Sequence, residues 1–188
     1  MGRVAGKKAF ITGGAQGLGA CFARMLADEG AKVYITDING DGAAATAAAI
    51  NDKHPGAAWA SGHDVTKRDE WKTALEAASD AMGGVDTLIN NAGIGTFGSI
   101  ETATDEDWRR TQEIDVDSIF IGTQLAMPYL KKAPSSSIVN ISSVAGMIAD
   151  GNMIAYNTAK AAVWMMTKSI APCHLNHPLE AVKILGLA

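Results

Sequence analysis

Lys8-Ala9-Phe10-Ile11-Thr12-Gly13-Gly14-Ala15-Gln16-Gly17-Leu18-Gly19 is the stretch on which the fold turns. Its first five residues read as a short buried strand and its glycines as a tight turn. An amphipathic helix follows, in which Phe22, Met25 and Leu26 recur at helical spacing until Gly30 stops it. Gly13, Gly17 and Gly19 stand in a GxxxGxG spacing. Glycines there let the backbone approach a pyrophosphate, and the helix start offers free N–H groups and the positive end of its dipole. The GxxxxGKS or GxxxxGKT pattern of a phosphotransferase loop is absent.

Outward from this unit, strand and helix alternate. Ala31 to Asp37 reads as a second strand and the alanine-rich Gly42 to Asp52 as a helix. His54-Pro55-Gly56 breaks that helix before a third strand near Ala57 to Gly62. A helix over Asp69 to Met82 ends at Gly83-Gly84. Val85 to Asn90 is a fourth strand, running into the glycine-containing loop Ala92 to Gly98. Thr104-Asp105-Glu106-Asp107 marks the start of a long helix reaching Lys131, and Ser137 to Ile141 is a fifth strand. Apolar strands without a polar face, alternating with helices, predict an α/β fold: a Rossmann-like, doubly wound parallel sheet with helices on both faces. Its ligand belongs at the carboxyl ends of the strands.

The 188 residues, 47% hydrophobic, suffice for one core and not for two ordinary domains. A net charge of −4 gives no basic footprint, so neither nucleic acid nor a charged membrane is an expected partner. The N-terminus lacks the apolar core of a signal peptide and the pattern of a myristoylation site, and no run is long enough to span a bilayer. Cys21 and Cys173 sit in no ligand or disulfide pattern and read as structural cysteines of a reducing compartment. Cytoplasmic residence is the expectation.

Asp37 closes the second strand 18 residues after Gly19. A carboxylate there accepts hydrogen bonds from both hydroxyls of an adenosine ribose and repels a 2′-phosphate. Ile38 and Asn39 follow it rather than a basic residue, which favours NAD over NADP. Asp64-Val65 after the third strand fits either an adenine contact or a cap for the next helix. Asn90-Asn91-Ala92-Gly93 by itself indicates a turn. Tyr156 and Lys160 are four apart on a predicted helix and project from one face. An ammonium beside a phenol favours phenolate and makes it a proton-transfer group. Ser143, 13 residues before Tyr156 at a strand end, is placed to hydrogen-bond a substrate oxygen.

TGGAQGLG, NNAG, NISS and YNTAK, in this order and spacing, resemble the short-chain dehydrogenase/reductase family over roughly Gly6 to Ile170. The resemblance implies an oxidoreductase that passes a hydride between NAD(H) and a secondary alcohol or ketone. It makes Tyr156 the general acid/base and Ser143 the residue orienting the substrate oxygen. Lys160 would bind the nicotinamide ribose and favour the Tyr156 phenolate. Gly13, Gln16, Gly17, Leu18 and Gly19 would face the phosphates, Asp37 with Ile38 the adenosine ribose, Asp64 and Val65 the adenine, and Asn91 the nicotinamide side. It also implies a homodimer or homotetramer through the long helix and the Tyr156 helix, with Val163, Trp164 and Met166 as apolar contacts. Ile94, Phe97, Met147, Ile148 and Met153 flank the expected site and point to an apolar, aliphatic or steroid-like substrate.

Two departures from the family pattern stand out. Asp115 occupies the position where the family often has an asparagine holding a relay water, so the relay is altered or the aspartate is protonated or solvated. Beyond Ala171, Pro172 and Pro178 interrupt the helix, and the last strands are expected to be missing. Residues 1–171 then form the dinucleotide-binding and catalytic domain and 172–188 an atypical tail, as in a truncated, frameshifted or alternatively spliced product. His174 and His177 lack a third ligand, so no metal is expected. The competing expectation is a catalytically inactive nucleotide-binding or dimerisation fragment.

Overall fold

The computed structural model describes residues 2–171 and 179–187. Five parallel strands fall where the apolar runs predict them: β1 (Lys8–Thr12), β2 (Lys32–Asp37), β3 (Ala58–Gly62), β4 (Thr87–Asn90) and β5 (Ser136–Ser143). A sixth strand, β6 (Leu179–Leu187), corrects the expectation that no later strand follows the prolines. It pairs in parallel with β5 from Ser136 opposite Leu179 to Ser143 opposite Leu187. The physical reason is the edge that β5 would otherwise present, a row of backbone N–H and C=O groups that an apolar nine-residue run can satisfy. The strand order is β3-β2-β1-β4-β5-β6, with the chain reversing its direction of winding between β1 and β4. His174, His177 and Cys173 lie outside the described residues.

Alternation along each strand builds two cores. Phe10, Leu88 and Ile138 point to one face, where Trp71, Leu75 and Met82 of α3 (Arg68–Met82) and Ala126 and Leu130 of α5 (Ser118–Leu130) cover them. Ile11, Val33, Ile35 and Ile89 point to the other, under Ala23 and Ala27 of α1 (Gly17–Asp28) and Ala43, Ala47 and Ile50 of α2 (Gly40–Asn51). The inward side of α1 is thus small residues. Phe22 and Leu26 are only half-buried and Met25 is exposed, because glycine and alanine let the helix lie close on the sheet and leave larger side chains at its flank.

The long helix predicted from Asp105 to Lys131 is one rod with a local change of pitch. α4 (Asp105–Gln112) starts on Thr104, whose side chain accepts from the Asp107 N–H, as the acidic first turn suggests. A π-helical segment, Glu113–Asp117, then leads into α5. Such a segment shifts the apolar register by about one residue, too little to stand out in the pattern of a continuous helix. It delivers Asp115 into the interior. α6 (Ile154–Ile170) follows a short 3-10 turn, Val144–Gly146.

Candidate active site

β1 ends in a turn that only glycines accommodate. Gly13 has φ +67°, and an added Cβ would lie 2.8 Å from the Ala92 Cα. Gly17, at φ +57°, would meet nothing within 4 Å, so it faces open space. Gln16 caps α1 without a side-chain hydrogen bond, which leaves the first-turn N–H groups of α1 available to an anion. Asn91 braces this turn: its Nδ2 donates to the carbonyls of Thr12 and Gly13, both at 2.9 Å. The Thr12 hydroxyl in turn accepts from the N–H groups of Asn91 and Ala92. A glycine cradle with an uncapped helix start is a fitting site for a dinucleotide pyrophosphate.

A cavity of about 350 Å³ extends from the cradle to the ends of β2 and β3, lined by Gly13, Gln16, Asp37, Ile38, Asp64 and Val65 among others. Asp37 Oδ2 accepts from the Ala15 N–H at 3.0 Å and Oδ1 from the Asn39 N–H at 2.9 Å. These bonds fix the carboxylate beside the turn. Asp64 Oδ1 accepts from the N–H and hydroxyl of Thr66, a local turn rather than a helix cap, since Lys67 is the residue preceding α3. Two residues lie here that sequence neighbours do not reveal. Arg110 and Ile114, one helical turn apart on α4 and the π-helical segment, line the same cavity as Asp37. Arg110 brings a basic group to this cavity from a distant part of the chain. Adjacency along the sequence shows only Ile38 and Asn39.

The chemistry gathers in a second cavity of about 430 Å³ that shares Asn91, Gly93 and Ile94 with the first. Ser143, Tyr156, Lys160 and Asp115 all line it, with Leu18 at the phosphate side and Met153 on the wall. β5 brings Ser143 to its carboxyl end, where the hydroxyl accepts from the Ala145 N–H at 3.1 Å and opens the 3-10 turn. α6 carries Tyr156 and Lys160 on one face, with the Lys160 ammonium 5.5 Å from the Tyr156 ring centroid. Ser142 Oγ donates to the Lys160 carbonyl at 2.8 Å and ties this turn of α6 to β5.

Asp115 and Lys160 form a buried ion pair, Oδ2 to Nζ 2.9 Å, with side chains 0% and 6% exposed. The ammonium also donates to the Ile141 carbonyl at 3.3 Å, and Asp115 Oδ1 accepts from the Ile94 N–H at 2.8 Å. Oδ2 sits off the direction of a hydrogen bond, so its contact with Lys160 is ionic and not directional. Burial pushes the Asp115 carboxyl above its ordinary range, while the Lys160 ammonium and the Ile94 N–H pull it back. Of the alternatives its position in the sequence left open, the aspartate is not solvated: it is buried and paired to the lysine.

The model of the short chain dehydrogenase family matches residues 7–185. Trans-4-hydroxycyclohexanecarboxylate dehydrogenase of Sinomonas cyclohexanicum is 43% identical over 174 residues, which are 90% of this chain and 67% of that protein. An NADP-dependent (R)-specific alcohol dehydrogenase of Lentilactobacillus kefiri is 36% identical over 170 residues, 90% of this chain and 67% of its own. A short-chain dehydrogenase/reductase from Burkholderia phymatum, solved in complex with NAD, superposes with a TM-score of 0.90 at 28% identity and covers 95% of this chain and 64% of that one. The chain belongs to the short-chain dehydrogenase family. It spans about two thirds of the length of the curated relatives it matches.

Proposed function

We propose that this chain carries the hydride-transfer site of a dehydrogenase that interconverts a secondary alcohol and its ketone with NAD(H). The observation that carries this reading is the convergence of Ser143, Tyr156 and Lys160 on one cavity that opens into the glycine cradle. A bound nicotinamide supplies the hydride acceptor or donor. Ser143 Oγ holds the substrate oxygen, and in the oxidative direction Tyr156 takes the hydroxyl proton as the carbinol hydrogen leaves with its electron pair; the reverse returns both. Lys160, beside the phenol, stabilises phenolate and is placed to meet a ribose hydroxyl. Asp37 supports NAD over NADP because a 2′-phosphate beside its carboxylate meets like charge, although Arg110 in the same cavity lessens that penalty.

The apolar part of the cavity lining supports an apolar, cyclic secondary alcohol. Leu18, Ile94, Ile141 and Met153 are apolar side chains lining it, and the Sinomonas relative is named for a hydroxycyclohexane substrate. A second reading is a nucleotide-binding module without turnover, favoured by the engagement of the Lys160 ammonium with the buried Asp115 carboxylate at 2.9 Å.

Fluorescence titration with NADH and NADPH, followed by turnover on a panel of cyclic secondary alcohols, separates these readings. NADH should bind more tightly, and Tyr156→Phe should lower turnover by roughly 10²–10⁴-fold while NADH binding is kept. Binding without turnover in the unsubstituted chain selects the second reading. Undiminished turnover in Tyr156→Phe overturns the mechanism.

A further inference from the structure

The buried pair at the back of the catalytic cavity has a consequence for the pH at which the site works, and it rests on the reading of Tyr156 and Lys160 given above. Asp115 comes from the π-helical segment and Lys160 from α6, two elements that meet here. Among the described residues lining this cavity, the titratable groups are Asp115, Tyr156 and Lys160. β5 contributes Ile141, Ser142 and Ser143, and the loop after β4 contributes Asn91, Gly93, Ile94 and Gly95, all uncharged. Of the charged side chains on α4 and the π-helical segment, Asp105, Glu106, Arg109, Arg110 and Glu113 line a cleft by Ile38 and Asp64, Arg110 also lines the cradle cavity, and Asp107 and exposed Asp117 line neither that cleft nor the catalytic cavity. The 3-10 turn packed on α6, Val144–Gly146, carries no ionisable side chain. Among the described residues, the ammonium that faces Tyr156 therefore has one counter-charge, and that charge is as deeply buried as the ammonium itself.

We propose that Asp115 is a positioning residue that acts through Lys160: it holds the ammonium against the Ile141 carbonyl and offsets its charge, so that Tyr156 accepts the substrate proton only at higher pH than it would beside an uncompensated lysine. An amide at this position carries no charge, and the full field of the ammonium then falls on the phenol. In a water-poor cavity a unit charge a few ångströms away counts for far more than at the surface. Asp115 thus trades phenolate formation near neutrality for a fixed Lys160. The dependence on alkaline pH follows in the direction of alcohol oxidation, where the phenolate is the working form.

The test compares the unsubstituted chain with Asp115→Asn and with Asp115→Ser, a smaller neutral side chain that serves if the first does not fold. The alkaline rise of alcohol oxidation should move down by about one pH unit in the neutral variants. The tyrosinate absorbance of each protein, taken as a difference from the same protein carrying Tyr156→Phe, should move down by a similar interval. This second readout needs neither nucleotide nor turnover, so it tests the pairing even where the proposed dehydrogenase activity is not found. A purely structural role for Asp115 would change amount and stability and leave both profiles in place. Profiles that stay fixed or move to higher pH in folded neutral variants overturn the proposal.

Discussion

His63 is the residue whose environment has the plainest consequence for stability. It is 2% exposed, its Nδ1 lies 3.0 Å from the Thr36 hydroxyl, and its ring stands edge-on to Trp71 at 4.6 Å. Burial drives its pKa down from 6.5 to about 4, against the pull of the Glu70 and Asp64 carboxylates. Between those two values the unfolded chain binds a proton that the folded chain does not. Stability contributed by neutral His63 is therefore whole above about 6.5 and is lost as pH falls toward about 4. The full loss is on the order of 3 kcal/mol. Urea midpoints at pH 7.5 and 4.5 should show His63→Gln losing distinctly less on acidification than the unsubstituted protein, and equal losses would count against this account.

The same scale shows where sequence is informative and where it is not. Ser143, Tyr156, Lys160 and the glycine turn are legible because short local motifs fix their chemistry and each sits at a strand end or on one helix face. The pairing of Asp115 with Lys160 and the meeting of Arg110 and Asp37 in one cavity are products of packing between elements far apart in the chain. The type of each residue can be read in advance, but its partner cannot. Asn91 is a related case. Its amide is engaged with the carbonyls of Thr12 and Gly13, so a residue expected at the nicotinamide side also braces the phosphate turn.

At the scale of elements, the contact between α3 and α5 is set by one absent side chain. Gly122 lies against the indole of Trp71, and a Cβ there would overlap the ring. Trp71 cannot yield easily, since its Nε1 donates to the Val65 carbonyl at 2.8 Å and its ring stacks on Phe10. Gly122→Ala gains helix propensity but overpacks the interface, and overpacking of a filled core costs about 1–3 kcal/mol. The expected net result is a lower thermal midpoint, with NADH binding retained at temperatures where the variant is folded. A raised midpoint would show that the helices have slack. Element boundaries were largely legible, because glycine and proline punctuate this chain. The π-helical segment was not, since it shifts the apolar register by only about one residue, and β6 was obscured by the two prolines before it, although Leu179 to Leu187 is rich in apolar residues.

At the scale of the molecule, two apolar surfaces remain on the described residues, and they make opposite predictions for assembly. One is a groove between α1 and the sheet, formed by Phe22, Leu26, Ile89, Val139 and Ile141 with exposed Met25 on its edge. The other lies on the helices of the opposite face, where Phe120 on α5 is 53% exposed and Met165 on α6 is 59% exposed. Half-buried Trp164 precedes Met165 on α6 and lies under the Lys168 ammonium, 5.2 Å from its ring. Val163, expected from sequence to face a partner, is wholly inside its own core, so the contact falls to Phe120, Trp164 and Met165 instead. We propose a two-fold dimer through α5 and α6, as an isologous patch of large apolar side chains on long helices favours. Light scattering should then give twice the 19.5 kDa chain mass. Phe120→Lys with Met165→Lys places like charges across the two-fold and should return the protein to monomer, whereas Met25→Lys on the groove should leave the dimer intact. Dissociation by Met25→Lys alone would assign assembly to the groove, and a monomer in the unsubstituted protein would remove the helix-mediated dimer.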